Sequence, residues 1–288
     1  MASARDIKRQ INSVSNTQKI TKTMKMVSAA KMRKAVEAML SARPYSAKLT
    51  ELIQDLSKRA GGEANHAFLE SDRENKVIGL IVITSDKGLC GAFNSNVVKT
   101  ALNFIKERSD KKFKIIPIGK RSFDFFSKRG FEILEKWTGF GGKFAFSDAS
   151  DIGRLISRSF LEGGVDEFRL IYNEFKSTSS QIVRNKKLLP LSIDAGDNNE
   201  RAYPDFEYEP DVETLLDTLL PQFINTSIYQ SLLESMAGEH GARMVAMDNA
   251  TRSAGEMIKK LVLNYNKTRQ AAITTELLDI VNGAEALK

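Results

Sequence analysis

The sequence predicts an α/β protein in which a long antiparallel coiled coil of the N- and C-terminal helices joins a Rossmann-like α/β domain with a mostly parallel sheet. Three observations predict it. Helical periodicity is sustained over residues 3–58 and again over 211–282, and strand and helix patterns alternate over 76–195. At 1.5 Å rise per residue the two helices would span roughly 80 Å and roughly 105 Å, whereas globular helices average about 11–12 residues. Helices of that length cannot be buried within a domain of this size, so they must pack on each other or on other chains. The chain therefore divides into 1–60, an N-terminal coiled-coil helix, 76–195, the α/β domain, and 211–288, a C-terminal coiled-coil helix.

In the first helix Ile7, Ile11 and Val14 set a 4,3 spacing, and Met32, Ala35, Met39, Ala42, Ser46, Leu49, Ile53 and Leu56 continue the phase. Between them the strict positions hold Gln18, Thr21, Lys25 and Ser28, while Ile20, Met24 and Val27 lie off them. That arrangement predicts an apolar stripe that slips by one residue and a helix that changes neighbours midway. Pro44 removes one backbone bond and should bend the helix, and Gly61-Gly62 should end it.

The second helix carries Val212, Leu216, Leu219 and Phe223, then Leu233, Ala237, Met244, Met247, Ala254, Ile258, Leu261 and Tyr265. Asp205 to Asp211, with Pro204 and Pro210, form its start signal. Gly238, Gly241 and Gly255 each lower intrinsic helix stability by about 1 kcal/mol relative to alanine, so this helix needs a partner. The first helix supplies one, and the glycines put local stiffness in question.

Between them, Val77–Thr84 is a buried-strand run, followed by a helix over 95–108, a strand at Phe113–Gly119 and a helix over 120–129. Phe131–Trp137 should be a third strand, 148–162 a third helix, Phe168–Tyr172 the start of a fourth strand and Gln181–Leu188 a fifth. Such alternation implies parallel strands joined by right-handed crossovers.

The net charge of +7 is unevenly spread: residues 1–60 hold 13 Lys/Arg against 4 Asp/Glu, and residues 211–288 hold 7 against 10. A basic and an acidic helix suit an antiparallel pair. Surplus cations on the first helix, among them Lys19, Lys22, Lys25, Lys31 and Arg33, can also face an acidic partner. Nucleic acid is disfavoured because Tyr45 is the one aromatic residue in the first 60. No stretch reaches the ~18 continuous apolar residues of a membrane span, and no secretory or transit signal precedes the first helix. The single cysteine, Cys90, rules out an internal disulfide and a cysteine-based zinc site, and is expected to be a buried, inert thiol.

Motifs that carry chemistry are few. Ser85-Asp86-Lys87-Gly88-Leu89-Cys90-Gly91 follows the first strand, where dinucleotide folds place phosphate, yet it is neither GxGxxG nor GxxxxGK[ST]. It reads as a tight strand-to-helix turn. His66 and His240 lie in different segments, and His240 falls in the heptad phase as a seam histidine. No catalytic residue, cofactor site or metal ligand set is expected.

Two helical stretches are more specific. Asp6-Ile7-Lys8-Arg9-Gln10-Ile11 with Asn16–Val27, and Glu239–Thr251 with Tyr265–Leu277, strongly resemble the terminal helices of the γ subunit family of F-type ATP synthases. Ser85–Gly91 and Leu216–Pro221 resemble further landmarks of that family, in the correct order along the chain. The resemblance implies a non-catalytic rotor: paired terminal helices forming a shaft within an α3β3 hexamer, and an α/β foot near the c-ring, coupling proton flow to ATP synthesis or hydrolysis at the β subunits. It also implies contact with β subunits at Met24, Arg243, Arg269, Gln270, Thr274 and Glu276, and reach toward the c-ring and the ε subunit at Tyr203, Tyr208 and Glu209. With an initiator Met and no presequence the chain looks bacterial, which implies the cytoplasmic side of the inner membrane. The competing readings are a nucleotide-dependent α/β enzyme with coiled-coil assembly arms, and a basic scaffold that binds nucleic acid through residues 1–60.

Overall fold

A computed structural model describes residues 3–59, 66–69, 76–141, 144–191 and 212–285. In chain order these form α1 (Ala4–Arg59), β1 (Val77–Ile83), α2 (Phe93–Glu107), β2 (Lys112–Ile118), α3 (Lys120–Ser127), β3 (Glu132–Ile133), α4 (Phe146–Leu161), β4 (Glu167–Ser177), β5 (Ser180–Leu189) and α5 (Val212–Glu285). The expected class is therefore the observed one. The expected signals at Gly61-Gly62 and at Pro204–Asp211 lie outside the described residues.

One sheet takes the order β3-β2-β1-β4-β5. β1 pairs in parallel with β2 and β4, β2 with β3, and β5 returns antiparallel on β4. Side chains alternate across it with the strand period of two. Ile78, Leu80, Val82, Ile115 and Ile171 face Val97, Ala101, Phe104 and Phe126 of α2 and α3. The opposite face, with Ile81, Ile83, Ile116, Ile118 and Leu170, packs on Ile152, Ile156 and Phe160 of α4 and on Leu216, Leu220, Ile224 and Ile228 of α5. Leu49, Ile53 and Leu56 of α1 belong to that same core.

The third strand is shorter than its sequence suggests. Leu134 N–H donates to Ile115 O and Trp137 N–H to Pro117 O, but the ladder between them is broken. Ile115 and Pro117 point their carbonyls toward β3, so the N–H that Pro117 lacks is the one that would have bonded the next carbonyl of this strand. Residues 131–137 consequently pair only as Glu132–Ile133 and as a bridge between Ile118 and Trp137.

The described residues fall into two compact units, one from 1–29 with 243–288 and the other from 30–242, so α1 and α5 contribute to both. Both helices continue through their prolines, Pro44 and Pro221, so neither proline ends one. In the larger unit α1 and α5 run antiparallel: Ala35 and Met39 pack with Leu233, Met236 and Ala237, and Tyr45 Oη donates to Gln222 Oε1 at 3.2 Å. Gly238 and Gly241 serve close approach here. A Cβ on Gly238 would stand 3.3 Å from the Phe93 ring, and one on Gly241 would stand 3.0 Å from the Thr178 carbonyl oxygen.

Candidate functional site

The turn after β1 is closed by its own hydrogen bonds. Ser85 N–H donates to Asn94 Oδ1 at 2.9 Å, Ser85 Oγ donates to Lys87 O at 2.5 Å, and Asn94 Nδ2 donates to Cys90 Sγ at 3.1 Å. Asp86 Oδ1 accepts the first N–H of α3, from Lys120, at 3.0 Å, and both carboxylate oxygens accept Gly139 N–H at 3.1–3.2 Å. A helix N-terminus here would attract an anion, and this chain supplies its own. The Cys90 thiol is buried, as expected of an inert one. Asp86→Ala should lower stability by on the order of 2 kcal/mol, read as a shift in the urea midpoint, because two backbone donors lose a charged acceptor.

In the smaller unit α1 and α5 meet through polar rungs. Thr21 Oγ1 and Thr251 Oγ1 lie 2.7 Å apart, Gln18 Nε2 donates to Thr251 O at 3.3 Å, and Lys25 Nζ bonds Asp248 Oδ1 at 2.6 Å. Partner numbers fall as α1 numbers rise, so this pairing is antiparallel. The Lys25 hydrogen bond holds the Asp248 carboxyl below the usual carboxylate range, with Arg252 adding to the effect. A Cβ on Gly255 would lie 2.9 Å from Gln18 Nε2, so this glycine leaves room for the amide.

These rungs correct the expected phase slip. Gln18, Thr21, Lys25 and Ser28 keep the heptad phase, and Thr21 and Ser28 are buried. Ile20 and Val27 point outward instead, 59% and 51% exposed, with Met26 beside them. The seam stays in register because its polar members hydrogen-bond across it, so apolar side chains are not needed there. The signal was present in the sequence as polar residues at seam positions facing Asp248 and Thr251.

Met24 is half-buried, and Arg269, Gln270, Thr274 and Glu276 are all exposed on α5. Arg243 is different: at 8% exposure it is packed within the chain. Every described side chain from Arg269 to Asn282 is exposed, including Ile273, Leu277, Leu278, Ile280 and Val281. Of the basic set, Lys19, Lys22, Lys31 and Arg33 stand in solvent. Tyr203, Tyr208 and Glu209 lie outside the described residues.

A second polar cluster, in the larger unit, carried no recognised signal. Glu234 is buried on α5, one turn beyond Gln230, whose Nε2 donates to Glu234 Oε1 at 3.1 Å. Burial pushes the Glu234 carboxyl up, and burial pushes the Lys186 ammonium down, each against the pull of the other's charge. Tyr172, buried beside them, is raised to about 12 by burial and then by Glu234. The sequence trace is a polar residue every fourth position, Thr226, Gln230 and Glu234, within an otherwise apolar face.

Paired terminal helices with an outward apolar surface, together with a Rossmann-like domain whose turn after β1 is closed by its own hydrogen bonds, define the class of a mechanical stalk component. The ATP synthase family matches residues 3–287. The ATP synthase gamma chain of Pelotomaculum thermopropionicum is 44% identical over 288 residues, covering 100% of both chains. That of Chlorobium phaeobacteroides is 42% identical over 294 residues, covering 100% of this chain and 99% of the relative. Among solved structures, a chain of the Tetrahymena thermophila mitochondrial ATP synthase central stalk and c-ring aligns with a TM-score of 0.60 at 26% identity, over 80% of this chain and 99% of that one. A chain of the Euglena gracilis mitochondrial enzyme aligns with a TM-score of 0.67 at 21% identity, over 99% and 94%, and this likeness supports the fold alone.

The chain belongs to the ATP synthase gamma chain family. It is the central rotor shaft of an F-type ATP synthase, a non-catalytic subunit.

Proposed function

We propose that residues 1–60 and 211–288 act as the coiled-coil shaft within an α3β3 hexamer, with residues 76–195 as the α/β domain of the same rotor. Proton flow through the c-ring turns it, and its changing face alters nucleotide affinity at the β subunits. Met24, Arg269, Gln270, Thr274 and Glu276 touch β directly, while the packed Arg243 acts by setting the shape of the helix surface. The segment with Tyr203, Tyr208 and Glu209 reaches the c-ring and the ε subunit, and the complex holds the chain peripherally on the cytoplasmic side of the inner membrane. No described helix is long and apolar enough to cross a membrane.

The observation that carries this reading is the outward apolar surface, Ile20, Met26 and Val27 on α1 and Ile273 to Val281 on α5. Exposed apolar patches of this kind mark contact surfaces, and a rotating contact is best made from side chains without fixed hydrogen-bond partners.

Affinity capture of the tagged chain from solubilised membranes should recover α and β subunits together, and recovery of neither would reject the hexamer. Because Cys90 is buried, Thr274→Cys introduces the one accessible thiol among the described residues. A bifunctional thiol–amine reagent should join it to β in the assembled enzyme and stop ATP hydrolysis. A cross-link to β that leaves turnover unchanged would sink the rotary role.

A further inference from the structure

On the sheet face away from α4 and α5, α2 and α3 are separated by a groove of about 710 Å³. Both helices follow parallel strands, so they run in the same direction. Arg121 stands at the N-terminal end of this trough, and Lys106, Lys128 and Arg129 stand at the C-terminal end. From Asn94 to Lys106 the α2 wall rises about 18 Å, a little over three helical turns.

The floor is apolar: Val98 is buried, and Leu102 and Phe125 are half-buried. The rim is cationic. Lys99, Lys106, Arg121, Lys128 and Arg129 line it with a single carboxylate, Asp124, and Lys99, Lys106 and Lys128 are exposed. Arg129 is held in place, its Cζ 3.7 Å from the Phe125 ring centroid. None of the rotor contacts described above uses this surface.

We propose that the α2–α3 groove docks an acidic amphipathic helix of a partner polypeptide. An apolar ridge at i, i+3, i+4 and i+7 fills the floor over Leu102 and Phe125. Carboxylates flanking that ridge meet Lys99 and Lys106 on one wall and Arg121 and Lys128 on the other. A merely solvated basic face needs no apolar floor. A lipid surface is too flat to reach a floor lying between two helical ridges, so the combination favours a helix. The inference is independent of the shaft role, since it concerns a different surface of the chain.

The test uses the purified full chain and a fluorescein-labelled synthetic peptide of about 18 residues. Leucine occupies its i, i+3, i+4 and i+7 positions and glutamate most others. Fluorescence polarisation should report saturable binding that weakens as salt rises, because the Debye length contracts from about 10 Å at 0.1 M to about 3 Å at 1 M. The exposed triple variant Lys99→Glu, Lys106→Glu, Lys128→Glu should retain its circular-dichroism melt and lose binding by roughly tenfold or more. Leu102→Ser should weaken binding without altering the salt dependence, and a photo-cross-linker on Asn103→Cys should capture the peptide. Absence of saturable binding overturns the proposal. So does equal binding of a scrambled peptide of the same composition, or indifference to the triple variant. Capture by phosphatidylglycerol vesicles through the same lysines, with no binding of the peptide, assigns the groove to lipid and likewise overturns it.

Discussion

Phe160→Ala should destabilise the α/β unit by about 3–5 kcal/mol, the cost of deleting a fully buried aromatic side chain. Phe160 is 0% exposed on α4, and its ring centroid lies 6.1 Å from that of Phe68. It sits in the core that joins the sheet, α4, α5 and the last turns of α1, so the void cannot be filled from solvent and collapses only partially. Urea unfolding followed by near-ultraviolet circular dichroism measures the loss. Phe160→Leu, which leaves a smaller void, should lose less. A cost below about 1 kcal/mol for the alanine variant would mean that this core repacks freely and that its elements are not rigidly joined.

Stability should also fall as pH rises through the range in which Glu234 ionises, and Glu234→Gln should remove that slope. Burial raises the folded-state pKa of this carboxyl above its ordinary value of 4.5, so the native state binds the proton more tightly than the unfolded chain does. Native stability is then greatest, as far as this group is concerned, below 4.5, and the advantage is lost as pH climbs through the raised value. Lys186 works in the opposite sense and at the other end of the scale. Its folded pKa lies below 10.5, so stability increases with pH between the lowered value and 10.5. Urea midpoints measured at intervals between pH 4 and 8 should therefore converge for native and Glu234→Gln proteins in acid and separate toward neutrality, with the glutamine variant the more stable. Parallel curves would show that Glu234 ionises as freely in the folded protein as outside it.

The elements that sequence patterning resolved are those in which one interaction dominates. Sustained helical periodicity marks α1 and α5 despite its polar interruptions, and the continuous apolar run Val77–Ile83 marks a strand covered on both faces. Where two effects compete, the pattern misleads. Phe131–Trp137 has strand composition, but the missing N–H that prevents its pairing belongs to Pro117, on the neighbouring strand. Ile20 and Val27 suggest a shifted seam because hydrophobicity alone does not register a threonine pair at 2.7 Å or a Lys25–Asp248 bond. Gly238 and Gly241 read as weak points in a helix until the Phe93 ring and the Thr178 carbonyl are seen to need the space. Among the proposed contact residues, Arg269 to Glu276 are as open as their polarity suggests. The burial of Arg243, by contrast, depends on packing that no local pattern encodes.

The cross-seam bonds at Thr21–Thr251 and Lys25–Asp248 bear on how the smaller unit transmits load. Greasy contacts between two helices oppose separation, yet they change little when one helix slides along the other by a fraction of a turn. A hydrogen bond has one good geometry, and a polar residue at a seam position selects a single alignment. Under torsion the two strands of this pair are thus pinned at fixed heights, like laths joined by dowels. Twist applied at one end is stored as elastic strain along the pair instead of being dissipated as slippage between them.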